Sequence, residues 1–421
     1  EEEPLVSCQF SWNAAYGYLA CDHCMRWVSI ETQSVAFHKA DVSYYLVIFY
    51  SFAHLRSAPK LQSDLLNFLA VSVYSYPMMH YHVLSNCPCN FMDMPLETPE
   101  QNVRRLSLKK DIVLPHPDSY ETNLENITNC DQCGILYCCE NCRQQAFIKY
   151  HRTLCHNPND TQNPIVVLLE AWKQMHYPPE TTSIMLLVRI LAIIKQSNNS
   201  DSLVATFKQF CHRTVNEDAE LVHKLLGEQF ADQLNTLREL TANIVNDDKV
   251  QEFLTPEGFC SLMALIGTNG QGIGTSPLAM WVNAVTNQTM SDDERQQIDL
   301  FIDKLYQYVE DESGTFLNTE GSGLFQLQSA CNHSCTPNAE SSFPYGNHRI
   351  QLKAVKTILP GDEICISYLD DCSLSKSRHS RQKELAQNYL FICWCERCTA
   401  ESSQPDCTSE EEMSEEEDQD D

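Results

Sequence analysis

Cysteine spacing constrains this chain more than any other feature. Cys21-x2-Cys24 opens a series that continues as Cys130-x2-Cys133, Cys138-x3-Cys142 and His151-x3-Cys155. A second group comes late, with Cys335 followed by Cys393-x-Cys395-x2-Cys398. Thiolates and imidazoles at such spacings suit tetrahedral zinc, whose ligands sit about 2.0–2.3 Å from the ion. The eight early ligands are enough for two sites, although some of them as free buried thiols is an open alternative. Cys139 adjoins Cys138 and competes for its place, and His156 adjoins Cys155 as a bystander. Ten of the 21 cysteines fall outside these patterns: Cys8, Cys87, Cys89, Cys139, Cys211, Cys260, Cys331, Cys365, Cys372 and Cys407.

The rest of the composition narrows the setting. The acidic start, Glu1-Glu2-Glu3-Pro4, has no signal-peptide character, so the expectation is a reducing compartment with metal-bound thiolates rather than disulfides. No apolar run reaches the ~18–20 residues of a membrane span. The protein should be soluble and intracellular, and a monomer of the cytoplasm and nucleus is the expectation. With 421 residues and 43% hydrophobic content, two or three domains with real cores are expected. The net charge of -28 opposes direct contact with nucleic acid and favours basic protein partners. Residues 410–421 hold nine acids and no base, a run expected to be a solvated tail.

Helical periodicity fills 164–312. Ser183 to Lys195 is apolar nearly all round and predicts a buried core helix. Glu217 to Val250 has apolar residues at helical spacing, and Ser291-Asp292-Asp293-Glu294 is a capping box for a helix running through Phe301, Leu305 and Tyr308. Gly267 to Thr275 predicts a Gly-rich turn, not a phosphate loop, because no Gly-Lys-Ser/Thr follows. Lys376, Arg378, Arg381 and Lys383 are expected on a solvated helix face. Residues 27–95 lack a clean period and are expected to be a poorly packed insertion, with a genuine binding element as the other reading. Widening that loop from ~20 to ~105 residues adds only about 1.4 kcal/mol of closure cost. A structural zinc supplies about 10 kcal/mol or more, so the first site can still close.

One more run stands out: Asn332-His333-Ser334-Cys335-Thr336-Pro337-Asn338, then a strand, Glu363 to Tyr368, after the Pro360-Gly361-Asp362 turn. With the late cysteine knuckle, this resembles the core and post-SET segments of SET-domain lysine methyltransferases. The 21–155 framework resembles a MYND zinc module. Together they are similar to the SET-and-MYND (SMYD) family, in particular its fifth paralogous branch, which has a glutamate-rich tail and no C-terminal helical-repeat domain. The likeness covers residues 1–26 and 97–421.

The resemblance implies an α+β fold: a SET β-clip with a helical insertion, a MYND zinc module and a post-SET zinc knuckle. It divides the chain into a remnant of the N-terminal SET half (1–20), a MYND module with its insertion (21–155), a helical insertion (156–266), the SET core (267–392), the post-SET segment (393–400) and the acidic tail (401–421). The family has further N-terminal SET strands with a Gly-x-Gly turn. No equivalent precedes Cys21, so those strands are expected to be missing. Cross-bracing would put Cys21, Cys24, Cys138 and Cys142 on one ion and Cys130, Cys133, His151 and Cys155 on another. Cys335, Cys393, Cys395 and Cys398 would hold a third. Tyr368 would be the catalytic phenol and touch the cofactor, S-adenosylmethionine. Asn269, Asn332 and His333 would contact that donor, and Phe391 would stack on its adenine. The implied function is methyl transfer to lysine of histone or ribosomal-type basic proteins. A competing class is a catalytically inert adaptor that binds peptides.

Overall fold

The computed structural model describes residues 1–10, 19–29, 115–116, 119, 126–176, 181–213, 215–216, 221–222, 230–275, 277–313 and 321–403. Most of the 27–95 insertion and the acidic run therefore lie outside the described residues.

Helices and small sheets are mixed, as expected of the α+β class. β1 (Val6–Gln9), β2 (Gln271–Ile273) and β3 (Gly321–Leu324) form one antiparallel sheet with β3 in the middle. The close approach needed there explains Gly321. A Cβ at that position would fall 2.4 Å from the Cys8 carbonyl oxygen and 2.7 Å from Met25 Cε. β4 (Asn332–His333) lies parallel to β7 (Cys365–Ile366). β5 (Ala339–Ser342) and β6 (Gln351–Ala354) form an antiparallel pair between them in sequence.

The core is built round one helix. Counting the helices used here in chain order, α1 is Glu140–Ala146, α2 Pro164–Met175, α3 Thr182–Gln196, α4 Ala231–Val245, α5 Pro256–Asn269 and α6 Arg378–Tyr389. In α3, Ile184, Leu187, Val188, Ile190, Leu191 and Ile194 are fully buried, as the all-apolar pattern predicts. It packs on β1, α4 and α5. Each fully buried aliphatic contributes about 1.5–3 kcal/mol, which makes α3 the principal organiser of the fold.

One residue of α3 departs from the pattern. Arg189 is buried and donates Nη1 to the Ser7 carbonyl at 2.7 Å and Nη2 to Asp22 Oδ1 at 2.9 Å. Its guanidinium lies 4.2 Å over the Tyr150 ring, and Tyr150 Oη donates to Asp22 Oδ2 at 3.1 Å. Core helix, first sheet and first cysteine knuckle are thus tied at one point.

Elsewhere the elements depart from the sequence in instructive ways. Residues 215–216 and 221–222 pair as antiparallel strands inside the span expected to be helical, and the described helix there is Ala231–Val245. The Gly-rich stretch is not all turn, because α5 runs through Gly267 to Asn269 before β2 begins. A further helix, Asp292–Ser313, starts where the capping box predicts, with the Glu294 amide donating to Ser291 Oγ. It lies between β2 and β3, inside the span expected to be SET core. Among the described residues, no helix is long and apolar enough to cross a membrane.

Candidate active site

Three groups of four ligand atoms converge, each with all atoms within 4.8 Å of one another: Cys21, Cys24, Cys138 and Cys142; Cys130, Cys133, His151 and Cys155; Cys335, Cys393, Cys395 and Cys398. These are the cross-braced sets expected from the resemblance, and Cys138 rather than Cys139 is the member. Sulfur–sulfur separations are 3.6 Å for Cys24–Cys138, 3.5 Å for Cys138–Cys142, 3.6 Å for Cys130–Cys155 and 3.6 Å for Cys335–Cys398. A tetrahedron with zinc–sulfur bonds of about 2.3 Å has edges of about 3.8 Å, so each group fits such an ion. His151 reaches its group through a π-helical turn, Phe147–His151, and its Nε2 lies 3.5 Å from Cys133 Sγ. Such turns are rare and concentrate at functional sites.

The third group borders a cleft of ≈ 430 Å³ lined by Asn269, Asn332, His333, Tyr368 and Phe391. All five residues singled out in the sequence therefore meet in one place. The volume lies in the ~300–1,000 Å³ range of small-molecule sites. His333 is the hinge of the arrangement. The Tyr368 amide donates to its Nδ1 at 2.9 Å, and its Nε2 is 3.3 Å from Cys335 Sγ. An amide can only donate, so Nδ1 must accept and the ring proton sits on Nε2, facing the sulfur. One imidazole thus links the Tyr368 backbone to the metal-ligand group. Hydrogen bonding from Cys393, with smaller help from His333 and Arg381 against the cost of burial, pulls the Cys335 thiol down to about 3.

Tyr368 lies two residues past β7, because the strand expected over Glu363 to Tyr368 is limited to Cys365–Ile366. Its Oη donates to the Cys331 carbonyl at 2.7 Å, and its ring lies 5.4 Å from His333 and 6.1 Å from Phe391, edge-on to the latter. Burial, with Cys331 as the next contribution, pushes its phenol up to about 12. Asn332 is exposed and donates Nδ2 to Glu363 Oε1 at 2.6 Å. Asn269 closes α5, and its Nδ2 donates to the Cys211 and Leu265 carbonyls, each at 2.7 Å. Both side-chain N–H donors of Asn269 are thus taken up by backbone.

Two cleft residues escaped the sequence reading. Tyr389 stacks obliquely on Tyr368 at 4.8 Å, and Arg213 lines the cleft without an ion pair to any described residue. Arg213 carries no sequence signal. Tyr389 does, because Arg381, Leu385 and Tyr389 recur every four residues along one face of α6. The same spacing corrects the basic stretch: Arg381 is not on a solvated face but has no exposed surface. Leu390 then adopts φ 59°, the left-handed conformation that ends α6 and turns Phe391 into the cleft.

A SET domain profile matches residues 134–369, more than half of the chain. Over 412 residues, 97% of this chain and 82% of the relative, the chain is 42% identical to protein-lysine N-trimethyltransferase SMYD5 of Homo sapiens. The chain belongs to the SET-and-MYND family. The Gallus gallus protein of the same name is 43% identical over 413 residues, 98% of this chain and 82% of that protein. A shorter likeness, 45% over 78 residues, links it to a SET and MYND domain-containing protein of Dictyostelium discoideum, covering 18% of this chain and 22% of that one. For a SET-and-MYND chain the position of the match is informative. It takes in Asn332, His333 and Tyr368, stops before Phe391 and the 393–398 knuckle, and begins inside the second ligand group.

Proposed function

We propose that this chain is a protein-lysine N-methyltransferase that uses S-adenosylmethionine, acting as a monomer in the cytoplasm and nucleus on histone or ribosomal-type basic proteins. The observation that carries this reading is the convergence of Tyr368, His333, Asn332, Asn269 and Phe391 on one cleft beside a four-sulfur group. The relatives named protein-lysine N-trimethyltransferases support it. The charge of -28 suits a basic substrate. Three zinc ions would occupy the three ligand groups, two in the MYND module and one as the post-SET knuckle of a SET β-clip.

The cleft fits the donor by the chemistry of its lining. Aromatic faces at Phe391, Tyr389 and Tyr368 suit a purine, and the guanidinium of Arg213, without an ion pair among the described residues, suits a carboxylate. When bound, S-adenosylmethionine supplies an electrophilic methyl group on a sulfonium. An unperturbed lysine, pKa ~10.4, is only about 0.1% neutral near pH 7.4. The apolar walls of Tyr368, Tyr389 and Phe391 disfavour its ammonium form and exclude water. Tyr368, neutral and fixed through its Oη and its amide, orients the incoming amine. His333 holds that tyrosine, and Leu390 aims Phe391.

The test is methylation of a mixed histone and ribosomal protein pool by metal-replete protein, followed by mass spectrometry. Methyl increments on lysine, formed about 100-fold more slowly with Tyr368→Phe, are expected. An unmodified pool together with no saturable donor binding would instead mean an inert peptide-binding adaptor.

A further inference from the structure

Arg381 grips the third ligand group from outside the cleft. It lies within α6 with no exposed surface. Its Nε donates to Cys335 Sγ at 3.4 Å and its Nη2 to Cys398 Sγ at 3.6 Å. The same Nη2 donates to Glu401 Oε2 at 2.6 Å, and Nη1 donates to the Lys376 carbonyl. Glu401 is held in turn by Arg397 Nε at 2.8 Å. A single planar fork therefore meets four acceptors, two of them sulfurs of one ligand group. Lysine, with three donors on a point charge, cannot reproduce that pattern.

Charge explains why a cation belongs there. Four thiolates around a divalent ion carry a net charge of -2, and a buried group of that charge requires compensation. Groups behind a metal's ligands orient them and tune affinity, and losing one typically costs 10–100-fold in binding. The same helix carries Tyr389 at its end and leads through Leu390 to Phe391. We propose that Arg381 is a positioning residue for the third metal site: its fork holds Cys335 and Cys398 at ligand spacing, offsets part of the thiolate charge, and fixes α6 so that Tyr389 and Phe391 keep their places in the cleft. This rests on the zinc reading above, but its test does not depend on methyl transfer.

Cadmium-113 NMR of the full chain separates the sites, because two groups offer four sulfurs and one offers three sulfurs and an imidazole. Arg381→Lys is expected to move one of the two all-sulfur resonances and leave the other two signals in place. In the zinc form, a chromophoric chelator should then extract one ion in three about 10–100-fold faster than from the unaltered protein. The KM for the donor should rise by a larger factor than kcat falls. If Arg381→Met loses the fold, all three resonances change together and the lysine variant decides. Three unchanged resonances and release rates in Arg381→Lys would overturn the proposal and reduce Arg381 to a partner of Glu401. Unaltered protein that shows no all-sulfur cadmium signal would overturn the zinc reading, and this assignment with it.

Discussion

A phenol held at about 12 by burial is neutral throughout the range in which lysine titrates, so under the proposed function Tyr368 would work by orientation and not as a base. Tyr368→Phe should lower kcat about 100-fold while changing donor affinity little, measured by steady-state kinetics and calorimetry. Below pH 11 the unaltered enzyme should show no inflection from this tyrosine. Its rate should climb with pH as the substrate amine, pKa ~10.4 in water, loses its proton. The residual activity of Tyr368→Phe should climb in the same way. An inflection that disappears with the phenol would contradict the assignment. At this scale much of the site was legible. Asn332, His333, Cys335 and Tyr368 lie in short runs whose chemistry is local, so a linear reading captures them. Arg381 was misjudged because its neighbours Lys376, Arg378 and Lys383 make the stretch look uniformly solvated. Its burial follows from a face shared with Leu385 and Tyr389, and its sulfur partners come from Cys335 and Cys398.

Among the elements, α3 shows the same limit. Its apolar residues announced a core helix, but the role of Arg189 needs Asp22 and Ser7, more than 160 residues away in sequence. Removing one partner of a buried pair leaves the other uncompensated, at a cost of about 3–5 kcal/mol. Arg189→Met should therefore destabilise the protein by that amount in denaturant titrations. Arg189→Met combined with Asp22→Asn should recover part of the loss. A double variant worse than the sum of the singles would show that the ion pair is not the source of the effect. The strand pairing of 215–216 with 221–222 and the helical end of the Gly-rich stretch were not legible, because strand pairing and helix continuation override weak local preference there.

On the scale of the whole molecule, the ligand groups bind distant parts of the chain together. Cys21 and Cys24 join Cys138 and Cys142, and Cys335 joins the 393–398 knuckle. Each structural zinc contributes roughly 10–16 kcal/mol in small modules, comparable with the ~5–15 kcal/mol that holds a whole domain. Elemental analysis of purified protein should find three zinc ions per chain, and chelation should abolish cooperative unfolding of the regions they join. Protein that keeps its thermal transition without metal would refute the structural role of these groups. Donor binding tests the central claim most directly. Calorimetric titration of metal-replete protein with S-adenosylmethionine should give one saturable site, weakened about tenfold or more by Phe391→Ala. No saturable heat, or an unchanged isotherm in Phe391→Ala, would contradict the account.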